Sequence, residues 1–159
     1  MKTGVFFHKE FTNKDWPIIG DKFHNFPMVM ERALLLSDVL HVCFCSYSNT
    51  IENETKVDVE VWEKTEDSEY LEKVYSEFFT RVREFKPFMI FHNLGHDTAQ
   101  GDYGEIGLTR SFFLNLAQTV KSCAEEVCNG RYLIITHGGF RVDVAEYIFP
   151  RIVEILAFS

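Results

Sequence analysis

The sequence predicts a three-layer α/β fold, in which helices cover both faces of a mostly parallel sheet of about five strands. Short apolar segments alternate along the chain with amphipathic segments. This order is expected when crossover helices connect the strands of a parallel sheet. The 159 residues are 46% hydrophobic and 25% charged, as in ordinary globular proteins. A chain of this length predicts a single domain over 1–159.

Five segments have the composition of strands. Residues 39–45 (VLHVCFC) form an almost continuous apolar run, which is typical of a strand buried on both faces. We interpret His41 within it as a core histidine. Residues 56–61 (KVDVEV) alternate strictly and predict a strand with one face toward water. The other predicted strands are 3–7, 88–91 and 132–136.

Four segments have the apolar spacing of a helix face. They are 26–36, 68–85, 110–128 and 141–157. Thr109 precedes the third and Asn129-Gly130 follows it, residue types that begin and end helices. Pro150 predicts a kink in the last helix. Polar residues 46–55 and the glycine-containing segment 94–108 are predicted as loops.

Charge and cysteine usage limit the environment of the chain. The net charge of −8 argues against a protein whose main role is to bind phosphate groups, and it predicts no direct contact with nucleic acid. The four cysteines form no CxxC pair, so we interpret them as buried reduced thiols of a reducing compartment. The N-terminal residues lack a signal-like apolar region, and no apolar run reaches the ~20 residues of a membrane span. We expect a cytoplasmic protein without membrane contact.

Residues suited to chemistry follow two of the predicted strands. The first segment contains His96 and Asp97, and the second, THGGFR, begins at Thr136 and contains His137. Ligands bind at the carboxyl ends of parallel strands, and imidazole and carboxylate are ligands that zinc accepts. These segments therefore predict a functional site, with ordinary turn chemistry as the alternative. Asp102 is predicted to brace the glycine loop by accepting backbone hydrogen bonds.

Four segments carry a family resemblance. They are TGVFFHKEF (3–11), VDVEVWEKTEDSEYLEKV (57–74), KPFMIFHNLGHDTAQGDYGEIGLT (86–109) and GRYLIITHGGF (130–140). In this order they resemble the zinc-dependent histone deacetylase family, which includes acetoin-utilisation and acetylpolyamine deacetylases. The resemblance follows 38–159 almost continuously. It implies an arginase/deacetylase-like fold, a bound zinc, and hydrolysis of an acetyl-amide in a small molecule or an acetyl-lysine peptide.

The resemblance assigns roles to individual residues. Asp97 lies where the family has a metal ligand, and His96 beside it is a candidate second ligand. Phe140 lies where the family usually has a tyrosine, whose hydroxyl polarises the substrate carbonyl. Phenylalanine has no hydroxyl, so His137 in the same loop either donates instead or orders the turn. A rebuilt zinc site of Asp97, His96 and His137 is a further hypothesis.

The chain also lacks residues that the resemblance implies. It contains no DxH tripeptide and no HH dipeptide, although the family carries its remaining metal ligands and its general-base pair in such motifs. This implies an internal deletion near 36–38. A catalytic zinc normally has three protein ligands, so we expect the chain alone to be inactive or severely impaired. The alternatives are a non-catalytic interaction module and a non-functional fragment.

The deletion has a structural consequence. Removing interior strands would leave unpaired strand edges, which are costly when buried. We therefore expect either that the remaining strands close up into a smaller sheet, or that a second copy supplies the missing edge in a homodimer.

Overall fold

The computed structural model contains one six-stranded sheet. It describes residues 4–10, 39–45, 50–53, 56–61 and 64–158. The strands are β1 (Gly4–Glu10), β2 (Val39–Cys45), β3 (Thr50–Asn53), β4 (Lys56–Glu60), β5 (Ile90–Leu94) and β6 (Tyr132–Thr136). They lie in the order β3-β4-β2-β1-β5-β6. All five strands expected from the sequence are present, two with the predicted bounds and three with bounds shifted by one to three residues.

The sheet is continuous and almost entirely parallel. β1 pairs in parallel with β2 on one side and with β5 on the other. β4 and β6 extend it in parallel at the two ends, and β3 pairs with β4 in antiparallel orientation. The α/β fold class is confirmed. Of the two outcomes expected for a shortened sheet, the described strands form the closed one, and pairing with a second copy stays a prediction.

β3 corrects the assignment of 46–55 to a loop. Thr50–Asn53 pairs with β4, with an irregular register between Ile51 and Asn53. The segment is short and polar, so its sequence carries only a weak strand signal. Its strand conformation comes from the backbone hydrogen bonds offered by the neighbouring edge of β4, a tertiary effect that local propensity does not contain.

The described helices agree with three of the four predicted ones. They are α1 (Asp67–Lys73), a π-helical segment (Val74–Phe79), α2 (Thr80–Phe85), α3 (Arg110–Cys128) and α4 (Val142–Ala157). The first three follow one another without a break and together correspond to the predicted helix 68–85. α4 contains Pro150. The predicted helix 26–36 lies outside the described residues.

The start of α3 is fixed by two side chains. The Thr109 hydroxyl accepts a hydrogen bond from Phe112 N at 3.3 Å. The Asp67 carboxylate, at the start of α1, accepts from Thr109 N at 2.9 Å. The same threonine thus satisfies a free amide of the first turn and holds α1 beside α3.

Aromatic side chains build the core between the sheet and these helices. All six residues from 39 to 44 in β2 are buried, including His41, so this strand is covered on both faces. Phe44 stacks on Tyr70 with ring centroids 5.2 Å apart, and Tyr70 meets Phe112 edge-on at 4.9 Å. Such pairs add specific geometry to the burial of apolar area. Three cysteines within this core, Cys43, Cys123 and Cys128, are buried and carry reduced thiols.

Packing of α4 on the core gives the first testable prediction. Ile148 is fully buried and Val153, on the same helix, is 63% exposed. Ile148→Ala should lower the free energy of unfolding by about 2–5 kcal/mol, because it removes buried methyl groups and leaves a cavity. Val153→Ala should change it by less than about 0.5 kcal/mol. Urea denaturation measures both, and equal effects would contradict the described packing.

Candidate functional site

The site lies where two neighbouring parallel strands end. β5 and β6 pair so that Leu94 lies opposite Thr136, and the two following loops therefore leave the sheet at the same edge. Two backbone hydrogen bonds continue the contact beyond the strands: His137 N donates to Leu94 O at 3.1 Å, and His96 N donates to Gly138 O at 3.4 Å. The two candidate segments therefore meet at one edge of the sheet.

Asp102 joins the two loops. One carboxylate oxygen accepts from Tyr103 N at 2.7 Å in its own loop. The other accepts from Phe140 N at 2.8 Å and Arg141 N at 2.9 Å in the opposite loop. Charge-assisted hydrogen bonds of this kind are stronger than neutral ones. The bracing role predicted for Asp102 is confirmed.

Two glycines shape the turn after β6. Gly138 and Gly139 have φ values of 63° and 107°, which side-chain-bearing residues rarely adopt. A Cβ atom at Gly138 would lie 3.0 Å from Asp97 Oδ1, and one at Gly139 would overlap the ring of His96. The turn therefore needs glycine for its backbone and also for the space that the neighbouring loop occupies.

Asp97 and His137 lie together beside Gly95. A Cβ atom at Gly95 would lie 2.6 Å from Asp97 Oδ1, 2.8 Å from His137 O and 3.6 Å from His137 Cε1. Asp97 is buried and His137 is partly buried. Burial lowers the pKa of His137, and the negative charge of Asp97 opposes part of that shift. His137 is consequently neutral at physiological pH, with one ring nitrogen able to accept a proton.

His96 contacts different groups from Asp97. Its ring meets Phe149 of α4 edge-on, with centroids 5.7 Å apart. The residue is 5% exposed, and within the described part of the chain neither ring nitrogen has a hydrogen-bond partner. Buried polar atoms without partners are unusual in native proteins, so these nitrogens distinguish His96 from an ordinary core histidine.

A second buried histidine connects β5 to β6. His92 Nδ1 and the Tyr132 hydroxyl are 2.6 Å apart. Burial lowers the pKa of His92 to about 3, with a smaller contribution from His137, and burial raises the pKa of Tyr132 well above its usual value. Both groups are therefore neutral at physiological pH. Because β5 extends to Leu94, His92 lies inside the strand rather than at its end.

Two exposed aromatic residues flank the glycine turn. Phe140 is 83% exposed and Tyr103 is 62% exposed. The Tyr103 hydroxyl accepts a hydrogen bond from Gly139 N at 3.4 Å. Burial, aided by the charge of Asp97, raises the pKa of Tyr103, so the hydroxyl remains protonated at neutral pH. Sequence reasoning gave Tyr103 no role, although a phenol beside Asp102 was a signal once Phe140 was seen to lack a hydroxyl.

The described residues do not fit a three-ligand zinc site. Among them, no group of three or more His, Cys, Asp or Glu side chains could hold a metal ion, so Asp97, His96 and His137 do not form one. Zinc ligation by Asp97 with His96, and catalytic roles for His137 and Phe140, stay predictions.

None of the described helices is both long enough and apolar enough to span a bilayer.

Solved structures share this fold across nearly the whole chain. The histone deacetylase Clr3 superposes on 98% of it with a TM-score of 0.70 and 16% identity. The HDA15 HD domain matches 98% with a TM-score of 0.70 and 15% identity. An acetylpolyamine aminohydrolase from Burkholderia pseudomallei matches 99% with a TM-score of 0.71 and 13% identity. The fold is therefore of the arginase/deacetylase type.

Sequence comparison assigns the family. The histone deacetylase domain model matches residues 22–156, and the chain therefore belongs to the histone deacetylase family. It is 32% identical over 74 residues to histone deacetylase 8 of Arabidopsis thaliana. The match covers 20% of that protein, and the structural matches cover 27–45% of the chains in the solved structures. The chain thus corresponds to less than half of each of these relatives.

The Asp102 contacts give a prediction about loop stability. Asp102→Asn replaces one accepting oxygen by an NH₂ group that faces backbone donors. It should lower the free energy of unfolding by about 2 kcal/mol, because partly buried backbone donors lose a charged acceptor. Hydrogen exchange at the amides of Phe140 and Arg141 should also accelerate.

Asp143→Asn is the matched control for this experiment. Asp143 is exposed and pairs with Arg141, and solvent screening leaves such exposed pairs with little effect on stability. Equal effects of the two substitutions in urea denaturation would contradict the role assigned to Asp102.

His92 gives a prediction about pH dependence. Folded His92 stays neutral down to a pKa of about 3, whereas an unfolded histidine takes up a proton below its ordinary pKa of 6.5. The free energy of unfolding should therefore fall as the pH decreases from 6.5 toward 3, by up to about 1.4 kcal/mol per pH unit from this residue. In His92→Gln, the slope of the unfolding free energy against pH should decrease by the amount that corresponds to uptake of about one proton on unfolding. Urea denaturation between about pH 7 and pH 5 measures it, and an unchanged slope would contradict the prediction.

Proposed function

We propose that this chain is a deacetylase-family domain that binds acetylated ligands but, by itself, hydrolyses them poorly or not at all. The family acts on acetylated substrates, and acetylated amines or acetyl-lysine peptides are the proposed ligands. The observation that carries the proposal is Phe140, which is 83% exposed at the glycine turn and has no hydroxyl to stabilise an oxyanion.

Amide hydrolysis needs three contributions that these residues supply incompletely. Water must be activated, a base must take its proton, and donors must stabilise the charge that develops on the carbonyl oxygen. His137 is neutral and could accept a proton. Zinc would activate water in this family, but the described donor set does not fit it, and the side chain at position 140 cannot donate.

A second candidate function is zinc-dependent hydrolysis at a rebuilt site that includes Asp97 and His96. The observation in its favour is the pair of His96 ring nitrogens, which are buried without a hydrogen-bond partner among the described residues. A metal ion would satisfy one of them. The setting proposed for either function is the cytoplasm, without a direct role for nucleic acid.

Metal content and turnover distinguish the two candidates. We expect the purified, untagged chain to contain zinc well below one equivalent by elemental analysis. Turnover of an acetyl-lysine peptide should not exceed that of buffer with zinc added. Phe140→Tyr should not restore turnover, because it supplies a donor but no metal ligand.

A zinc-dependent activity would contradict the proposal. Near-stoichiometric zinc that is lost in Asp97→Ala, together with zinc-dependent turnover by the unmodified chain, would overturn the proposal and establish the second candidate. Retention of the fold in Asp97→Ala, checked by circular dichroism, is the control that separates loss of metal from loss of structure.

A further inference from the structure

Tyr103 places a hydroxyl directly beside the glycine turn. Its oxygen accepts from Gly139 N at 3.4 Å. A Cβ atom at Gly138 would lie 3.5 Å from that oxygen and 3.0 Å from Asp97 Oδ1. The hydroxyl and the carboxylate therefore border the same side of Gly138, at the edge of the sheet where the two loops meet.

The proton of this hydroxyl is available to a ligand. A phenol both donates and accepts, and here the accepting function is used by Gly139 N. Within the described residues, no acceptor is seen for the Tyr103 proton. Accepting one hydrogen bond strengthens the hydroxyl as a donor, and a residue that is 62% exposed can be reached from solvent.

Asp102 holds the backbone of Tyr103 beside the glycine turn. Its carboxylate binds Tyr103 N on one side and the amides of Phe140 and Arg141 on the other. Arg141 adds a second connection, because its Nη1 donates to Gln100 O at 2.7 Å. Because the backbone of its loop is held in this way, the Tyr103 donor needs less reorganisation when a ligand binds.

The surroundings select a neutral acceptor. Asp97 lies next to the hydroxyl, and the whole chain carries a net charge of −8, so an anionic ligand would be repelled. A carbonyl oxygen accepts a hydrogen bond without charge. Phe140, exposed beside the turn, offers an apolar surface for the alkyl portion of the same ligand.

We propose that the Tyr103 hydroxyl is the donor through which this site holds the carbonyl oxygen of a neutral acyl-amide, in place of a hydroxyl at position 140. The ligand class rests on the proposed function. The assignment of Tyr103 rests on its contacts with Gly139 and on the connection through Asp102.

Titration of the full chain with an acetyl-lysine tripeptide tests this assignment. In ¹H–¹⁵N spectra, the amides of the glycine turn should shift saturably, whereas the same tripeptide without the acetyl group should leave them unchanged. Tyr103→Phe should weaken binding roughly fivefold or more, the effect of losing one hydrogen bond. Tyr75→Phe, on the π-helical segment and 53% exposed, should bind as the unmodified chain does.

A modified ligand tests the same hydrogen bond without depending on one variant. A thioacetyl-lysine tripeptide presents sulfur, a weaker acceptor than oxygen. It should bind more weakly than the acetyl peptide to the unmodified chain, and the two peptides should bind alike to Tyr103→Phe. The proposal is overturned if the acetyl peptide does not bind, or if Tyr103→Phe binds it as tightly as the unmodified chain does. It is also overturned if replacing oxygen by sulfur lowers the affinity of both proteins equally.

Hydrolysis is followed in the same samples by the release of acetate. If acetate appears, the proposed lack of turnover fails, while the affinity ratio between Tyr103→Phe and the unmodified chain still decides the role of the hydroxyl. If no acetate appears and that ratio is near one, the role of Tyr103 fails on its own.

Discussion

The arrangement of the site depends on the carboxylate of Asp102. It accepts three backbone hydrogen bonds, one from Tyr103 and two from the loop that follows β6. Parallel pairing of β5 and β6 brings the loops to the same edge, but strand pairing ends at Leu94 and Thr136. Beyond that point, the Asp102 side chain connects the two loops and holds them at the same edge of the sheet.

This connection explains how a site can persist when a residue type changes. The glycine turn is held by backbone geometry and by the space it leaves for Asp97 and His96, and neither depends on the side chain at position 140. The opposite loop presents a hydroxyl to this turn, because Tyr103 contacts Gly139. The metal donor set is different, because ligands must converge within about 2 Å of one ion.

The shortened chain retains a coherent core. It covers less than half of each compared relative, yet β1 bonds to strands on both of its sides and the aromatic residues of β2, α1 and α3 pack together. The last strand, β6, lies at an edge of the sheet, and its Leu133 is 46% exposed.

Apolar periodicity and glycine placement predict the fold class, most of the element positions and the two loops of the site, because they are local properties of the sequence. Other features depend on contacts between distant segments. β3 is a strand because β4 offers it hydrogen bonds, and His96 and Asp97, though adjacent, contact different glycines. The Tyr103 hydroxyl contacts Gly139, a neighbour 36 residues away in sequence. Spacing along the chain does not fix distances between loops, since those distances depend on how the strands pair and on which groups accept hydrogen bonds from the backbone amides.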